Sequence, residues 1–338
     1  MKADMSDLQK THLKATSLVT LTLQNSLLGL SMRYSRTRDG PMFIASTAVV
    51  MTELIKLIAS LFLVYCEHQN FKSWRQALCS RFIFINMDTL KFLVMSLVYV
   101  VQNNLLYISA SHLDATTYQV TYQLRILTSS LLSVVLLKRN LLPSQWVALV
   151  LLVIGVGIAQ LSGSSEGHKQ ASIKADSQNR LIGFCAVLVA SFLSGFAGII
   201  IEMILKCSDI SVWMRNAQLT FMSFPFAFLT CLISDWNKVV HLGWFYGYDY
   251  FILYLIVLQA AGGMLSFLVL KHADNILKGF ATSLAIIISA LASVFLFNFR
   301  ITILLTTGAA LVIGSIFLYN KPAPDEKRPL MFKHIEDV

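Results

Sequence analysis

The chain has 338 residues, of which 56% are hydrophobic and only 13% are charged. Soluble domains carry about 25% charged residues, so this composition excludes an ordinary soluble protein and indicates a chain that crosses a membrane many times. The net charge of +9 does not indicate a nucleic-acid-binding protein, because the basic residues are scattered between apolar runs and form no single patch. The five cysteines show no CxxC or Cys/His ligand spacing. We therefore expect no structural disulfide, no metal site and no cofactor.

Ten apolar segments are each long enough to cross a bilayer, which takes about 20 residues. The first is preceded by charged residues and shows no cleavage site, so we expect it to be retained as a span. A polar segment at 162–179 predicts a flexible linker that separates two groups of five spans. The predicted fold is an all-α polytopic membrane protein with ten transmembrane helices, at 13–31, 42–65, 88–111, 114–137, 143–161, 180–204, 213–234, 250–272, 275–297 and 301–320.

The basic residues predict the orientation of these spans. Lys and Arg, with Arg215 counted among them, are more frequent in the connections on the side that holds both termini. By the positive-inside rule, both termini are cytosolic. The predicted organisation is a first five-helix repeat, a lumenal linker, a second five-helix repeat and a cytosolic C-terminal tail, at 1–161, 162–179, 180–320 and 321–338 respectively.

An internal repeat supports this division. The segment "SHLDATTYQVTYQLRILTSSLLSVVLL" from 111 aligns without gaps on "KHADNILKGFATSLAIIISALASVFLF" from 271. Asp114 then falls on Asp274, and Ser129 falls on Ser289. A repeat that holds five spans must reverse its direction through the bilayer. Inverted repeats of this kind are typical of secondary transporters, whose substrate site lies near the midplane between the repeats.

Each repeat contributes one cation to the apolar region. Arg125 shares one helical face with Tyr118, Tyr122 and Ser129, and Lys278 occupies the position of Tyr118 on the symmetry-related span. A charge at the bilayer centre costs about 2.5–3.5 kcal/mol, so it usually faces a cavity and has a partner. Asp114 and Asp274 lie at span starts, where we expect them to cap helices. The two cations indicate an anionic ligand, although Lys278 could instead extend to the interface.

Two further polar groups lie within predicted spans. Tyr99, Gln102 and Asn103 of the third span can bind a nucleobase and ribose, or can form hydrogen bonds between helices. Glu53 and Lys56, three residues apart in the second span, predict a structural ion pair, with proton coupling as the alternative. Small residues in "LSGFAG" at 193–198 and "AAGG" at 260–263 predict close helix packing.

These segments together resemble a known family. The chain is similar to Golgi nucleotide-sugar transporters of the drug/metabolite transporter superfamily, and more to the UDP-galactose and UDP-N-acetylglucosamine branches than to the CMP-sialic acid branch. The resemblance implies ten helices, alternating access, and import of nucleotide sugar in exchange for nucleoside monophosphate. It rests on "MRYSRT", "STAVVMTELIKL", "SLVYVVQNNLLY", "LDATTYQVTYQL", "SGFAG", "VWMRNAQL", "FYGY" and "ADNILKGFATSLAIIIS".

The resemblance also implies roles for individual residues. It places Arg125 and Lys278 on the phosphate. Two positions depart from the family pattern, because Arg125 and Met203 stand where the family has lysines. Arginine keeps the charge but offers a planar, bidentate group, so the change is not automatically neutral. The residues implied to surround the nucleotide are Tyr99, Gln102, Asn103, Tyr118, Tyr122 and Asn216.

Several functional alternatives remain open at this point. The leading hypothesis is an antiporter of UDP-galactose, UDP-N-acetylglucosamine or UDP-N-acetylgalactosamine against UMP. The alternatives are a CMP-sialic acid/CMP exchanger, a transport-inactive scaffold for glycosyltransferases, and a membrane-embedded transferase. The short interior loops hold no paired carboxylates or His/Asp group, which argues against an enzyme. The expected partners are UDP-sugar, UMP and Golgi lipids, with glycosyltransferases or a second copy of the chain as further candidates.

Overall fold

The computed structural model describes residues 2–37, 41–82, 87–112, 121–164, 180–207, 210–297 and 303–319. These residues form eleven helices and no strand. The helices are α1 (Lys2–Thr37), α2 (Ala45–His68), α3 (Phe71–Phe82), α4 (Met87–His112), α5 (Leu124–Leu136), α6 (Pro143–Ser164), α7 (Arg180–Lys206), α8 (Val212–Leu242), α9 (Tyr250–His272), α10 (Asn275–Phe297) and α11 (Ile303–Tyr319).

The described parts of the predicted spans lie on helices; the fourth span is described from residue 121 onward, and the tenth over 303–319. Five stretches, Ala45–His68, Leu181–Lys206, Val212–Leu242, Tyr250–His272 and Asn275–Ala292, are long and apolar enough to cross a membrane. Shorter apolar stretches lie within α4, α5, α6 and α11. The expectation of an all-helical polytopic membrane protein is confirmed for the described residues. Most of the linker, at 165–179, and the tail at 321–338 lie outside them.

One helix was not predicted. The pattern of apolar segments predicts a connection at 66–87, but α3 forms there and packs beside the end of α2. The Trp74 indole donates a hydrogen bond to the Leu61 carbonyl at 3.2 Å, and its ring meets the Tyr65 ring edge-on at 6.0 Å. The pattern missed α3 because the helix has only 12 residues and carries Lys72 and Arg75. It is therefore neither long nor apolar enough to be recognised as a span.

The two halves of the chain interlock. α5 and α6 from the first half pack with α10 and α11 from the second, around the buried side chains of Ile126, Leu152, Ile276 and Val312. In the same way α2 packs on α8, α4 packs on α7, and α1 packs on both α9 and α10. Apolar surface buried between the halves, more than contacts within each half, therefore holds the helices together.

Glycines allow α7 to approach its neighbours closely. A Cβ atom on Gly195 would lie 2.6 Å from Thr128 Oγ1 and 2.9 Å from the Ser129 nitrogen, and a Cβ on Gly198 would lie 2.6 Å from Asn275 Oδ1. These distances are shorter than van der Waals contact. The prediction that "LSGFAG" is a close-packing segment is therefore confirmed.

We predict that Gly195→Ala destabilises the protein. The added methyl group must push α5 away from α7, and overpacking of this kind costs about 1–3 kcal/mol. Thermal unfolding of the purified protein should show a lower Tm. The control is Gly314→Ala on α11, where a Cβ meets nothing within 4 Å. Alanine favours helix over glycine by about 0.5–1 kcal/mol, so this control should keep or raise the Tm. Equal Tm values for the two variants would contradict the close contact.

Candidate substrate-binding site

Tyr122 is the centre of a polar cluster that joins three helices. It lies just before α5, and its hydroxyl accepts a hydrogen bond from Gln102 Nε2 of α4 at 3.1 Å. The same hydroxyl donates to Ser194 Oγ of α7 at 3.3 Å. The structure thus brings the predicted residues Gln102 and Tyr122 together. The sequence does not identify Ser194 as a site residue, because the small residues around it indicate only close helix packing.

The two predicted cations lie in the first turns of α5 and α10. The Arg125 guanidinium carbon is 4.7 Å from the centroid of the Tyr122 ring, which is the geometry of a cation–π contact. Lys278 is partly buried and close enough to Arg125 for electrostatic repulsion between them. Among the described residues, neither side chain makes an ion pair within 4.0 Å. Two neighbouring positive charges without a counter-ion in contact favour the binding of an anion.

The remaining predicted residues take different positions. Tyr99 is partly buried and lies in the electrostatic neighbourhood of Tyr122 and Glu53. Asn216 is only 2% exposed, and its Nδ2 donates to Ser60 Oγ of α2 at 3.1 Å, so its amide joins α8 to α2. Tyr118 and the side chain of Asn103 lie outside the described residues.

Arg215, next to Asn216, corrects one sequence-based assignment. The sequence pattern places it among the basic residues at the end of a predicted span. In the structure it is 2% exposed, donates to Gln218 Oε1 at 3.2 Å and lies 5.5 Å from the Phe92 ring centroid. It therefore packs inside the protein and does not contribute to a charged surface.

Glu53 and Lys56 form the ion pair that their spacing indicates, with 2.6 Å between Nζ and Oε1. The other carboxylate oxygen of Glu53 accepts a hydrogen bond from Ser223 Oγ of α8 at 2.8 Å. The stem of Lys56 lies against Gly263 of α9, where an added Cβ would be 2.8 Å from Lys56 Cδ. The pair therefore connects α2 to α8 and α9, and its structural role remains a prediction.

Asp274 lies at the start of α10 and has two partners. Its Oδ1 accepts a hydrogen bond from the Leu277 N–H at 2.8 Å, which makes it the expected helix cap. Its Oδ2 accepts from Arg139, which follows α5, also at 2.8 Å. Although burial opposes ionisation, Arg139 and the Leu277 N–H hold the pKa of Asp274 below its usual value. Asp114, its counterpart in the repeat, lies outside the described residues.

Glu202 of α7 was not identified from the sequence. It is 1% exposed, its Oε1 accepts from Lys206 Nζ at 2.7 Å, and its Oε2 accepts from the Asn275 N–H at 2.8 Å. Asn275 Nδ2 in turn donates to Ser129 Oγ of α5 at 3.0 Å. A network of hydrogen bonds therefore links α5, α7 and α10 beside the two cations.

A separate groove is a poor candidate for this ligand. It lies between α4 and α7 and has a volume of about 440 Å³. Its walls are Leu, Ile, Val, Ala and Cys side chains, Leu105 and Ile182 among them. It offers nothing to a phosphate or a base.

The fold and the polar cluster together define a multi-pass membrane protein in which two cations lie beside a polar cluster among apolar helices. The family model described as nucleotide-sugar transporter matches residues 9–320. The chain belongs to this family, and it is a transporter and not an enzyme.

Curated relatives cover most of the chain. The UDP-N-acetylglucosamine/UDP-N-acetylgalactosamine transporter of Caenorhabditis elegans is 44% identical, over 91% of this chain and 93% of the relative. The UDP-galactose translocator of Bos taurus is 44% identical, over 92% of this chain and 78% of the translocator. The UDP-N-acetylglucosamine transporter of Homo sapiens is 45% identical, over 92% of this chain and 97% of the human transporter. A crystal structure at 14% identity superposes with a TM-score of 0.60, over 90% of this chain and 97% of the other, which shows a shared fold.

We predict that Glu53 and Lys56 stabilise the fold and do not drive transport. Either single charge reversal leaves two like charges together in a partly buried place, and breaking a buried pair costs about 3–5 kcal/mol. Glu53→Lys and Lys56→Glu should each lower the yield of folded protein, and the double exchange should recover part of it. Fluorescence-detected size exclusion measures this yield. The structural role is wrong if transport by the parent depends on an imposed pH gradient and transport by Glu53→Gln does not.

Proposed function

We propose that this chain imports a UDP-sugar into the Golgi lumen in exchange for UMP, by alternating access. The observation that carries the proposal is the position of Arg125 and Lys278. The two cations lie near each other on helices from opposite halves of the chain, without an ion-pair partner among the described residues. A nucleotide phosphate bound between them would neutralise the charge that the apolar surroundings penalise.

The neighbouring polar cluster supports a nucleoside beside that phosphate. Tyr99 and Tyr122 offer aromatic faces, and Gln102 offers an amide that can read the edge of a base. Tyr122 contacts both Gln102 and Arg125. The groups proposed to bind the base and the phosphate are therefore close enough to bind a single nucleotide. The relatives that carry UDP-galactose and UDP-N-acetylglucosamine in their names support uridine as the base. Galactose, N-acetylglucosamine and N-acetylgalactosamine are all candidate sugars.

Helix packing supports two inverted five-helix repeats, 1–161 and 180–320. In this arrangement, α1, α2, α4, α5 and α6 of the first repeat correspond, in this order, to α7, α8, α9, α10 and α11 of the second. Each helix pair that packs together then has a counterpart that also packs together. The pair α1–α10 corresponds to α7–α5, α4–α7 corresponds to α9–α1, and α4–α8 corresponds to α9–α2. The aligned serines agree with this mapping. Ser129 lies against Gly195, and Ser289 lies against Gly29, each about 3 Å from the Cβ that the glycine lacks. We infer cytosolic termini from the positive-inside rule.

Counterflow tests the proposed function directly. Purified protein in liposomes preloaded with UMP should take up labelled UDP-sugar faster than protein in empty liposomes. A scaffold that does not transport would show no such acceleration. Preloading with CMP should have little effect, and equal acceleration by CMP and UMP would assign the chain to CMP-sialic acid exchange.

We predict that Arg125→Ala weakens UMP binding by about 10- to 150-fold, because charge-assisted hydrogen bonds contribute about 1.5–3 kcal/mol each and 1.4 kcal/mol is a factor of ten. Lys278→Ala should have an effect of similar size. Isothermal titration measures both. The matched control is Lys72→Ala, which removes an exposed cation from α3. A folded double variant of Arg125 and Lys278 that binds UMP like the parent would refute the phosphate site.

We also predict that the nucleotide dominates recognition. A site that forms hydrogen bonds to one base edge rejects another base because its own polar groups are left unpaired, whereas a changed contact to the sugar has a smaller effect. UMP should compete nearly as well as UDP-galactose for transport into vesicles, and CMP should compete poorly. Free galactose should not compete measurably. Strong inhibition by free galactose would contradict this order of recognition.

A further inference from the structure

We infer that Ser129, Asn275 and Glu202 are positioning residues that set the separation of Arg125 and Lys278, and that they thereby tune the site for a phosphate group. This inference rests on the proposed function, since it assigns these residues to the same phosphate site. None of the three is proposed to touch the nucleotide. They act through the backbone turns that carry the two cations.

Glu202 fixes the first turn of α10. The first backbone N–H groups of a helix have no partner within the helix, and an anion at this end is favoured by the helix dipole. The Glu202 carboxylate fills that role for the N–H of Asn275 at 2.8 Å, while Lys206 holds its other oxygen at 2.7 Å. Because both oxygens are engaged and the side chain is 1% exposed, Glu202 has little freedom to move.

Asn275 and Ser129 then join α10 to α5. Asn275 Nδ2 donates to Ser129 Oγ at 3.0 Å, and Ser129 Oγ donates to the Arg125 carbonyl at 2.7 Å. Ser129 lies one turn after Arg125, and Lys278 lies one turn after Asn275. The contact is therefore within one helical turn of each cation, and a change in its geometry moves both.

α7 provides the surface on which this contact forms. Gly195, Gly198 and Glu202 follow each other at spacings of three and four residues, so they share one face of α7. Gly195 lies against Ser129, and Gly198 lies against the Asn275 amide. This face of α7 therefore has two roles. Glu202 orients Asn275, and the glycines leave the space in which Asn275 reaches Ser129.

The electrostatics explain why the site needs this support. Before an anion binds, Arg125 repels Lys278, and this repulsion is only weakly screened away from water. Glu202 attracts Lys278 electrostatically but bonds to Lys206 and Asn275. The α5–α10 contact resists the separation of the cations, so the site meets the phosphate with its charges already placed.

The test compares UMP with uridine, which lacks the phosphate. The readout is the ratio of the uridine Kd to the UMP Kd, measured by competition binding on the purified full chain. Ser129→Ala and Asn275→Ala should each lower this ratio by about 2- to 10-fold, the effect of one neutral hydrogen bond, and should leave the uridine Kd nearly unchanged. Ser129→Thr, which keeps the hydroxyl, should retain more of the parent ratio than Ser129→Ala.

The matched control is Ser130→Ala. Ser130 is fully buried on the same helix, but its hydroxyl donates only within α5, to the Ile126 carbonyl at 2.8 Å. It should keep the parent ratio. The inference is overturned if Ser129→Ala and Asn275→Ala are folded and keep the parent ratio, if they weaken UMP and uridine equally, or if Ser130→Ala lowers the ratio as much.

Arg125→Ala separates this inference from the proposed function. One outcome is that Arg125→Ala lowers the ratio of the uridine Kd to the UMP Kd while Ser129→Ala and Asn275→Ala leave it unchanged. That result rejects only the positioning role and keeps the phosphate site. If the parent does not bind UMP more tightly than uridine, the phosphate site and the positioning role both fail.

Discussion

The central constraint on this protein is that two positive charges lie within electrostatic reach of each other on largely apolar helices. Arg125 and Lys278 repel each other, and neither has a carboxylate in contact among the described residues. Such an arrangement is unstable unless the surrounding structure fixes the helices that carry the charges. The fixed elements are α5, with the residues that follow it, and the start of α10. Arg139 binds Asp274 at one end of their contact, and Ser129 binds Asn275 nearer the cations. An anion bound between the two halves of the chain would neutralise both charges at once.

This constraint explains the composition of α7. A helix that must lie close to both α5 and α10 needs small residues where it meets them, and Gly195 and Gly198 provide this space. It also needs a carboxylate where the N-terminus of α10 exposes an unpaired N–H, and Glu202 provides it. The polar and small residues of α7 therefore act together to allow this helix to pack against both α5 and α10. Ser194, which accepts a hydrogen bond from Tyr122, extends the same surface toward the aromatic part of the site.

Much of the fold could be predicted from the sequence because apolar length and charge are local properties. Where the structure describes them, the predicted spans lie on helices, and the spacing of Glu53 and Lys56 was enough to indicate their ion pair. The cap formed by Asp274 followed from its position at a span start. The polar helix α3 was missed because hydropathy identifies only apolar helices. Glu202, Ser194 and Asn275 were missed for a different reason: their partners are far away in the chain, and no pattern within a helix encodes such contacts. Arg215 was placed at a surface because an arginine near a predicted span end normally lies there.

The most direct test of the phosphate site is an experimental structure of the protein with UMP bound. If Arg125 and Lys278 receive the phosphate, its oxygens will lie about 2.7–2.9 Å from nitrogen atoms of both side chains, the length of a charge-assisted hydrogen bond. The uracil ring will lie toward Tyr122 and Gln102. A structure in which the phosphate contacts neither cation, or in which UMP lies outside the contact between α5 and α10, would contradict the account.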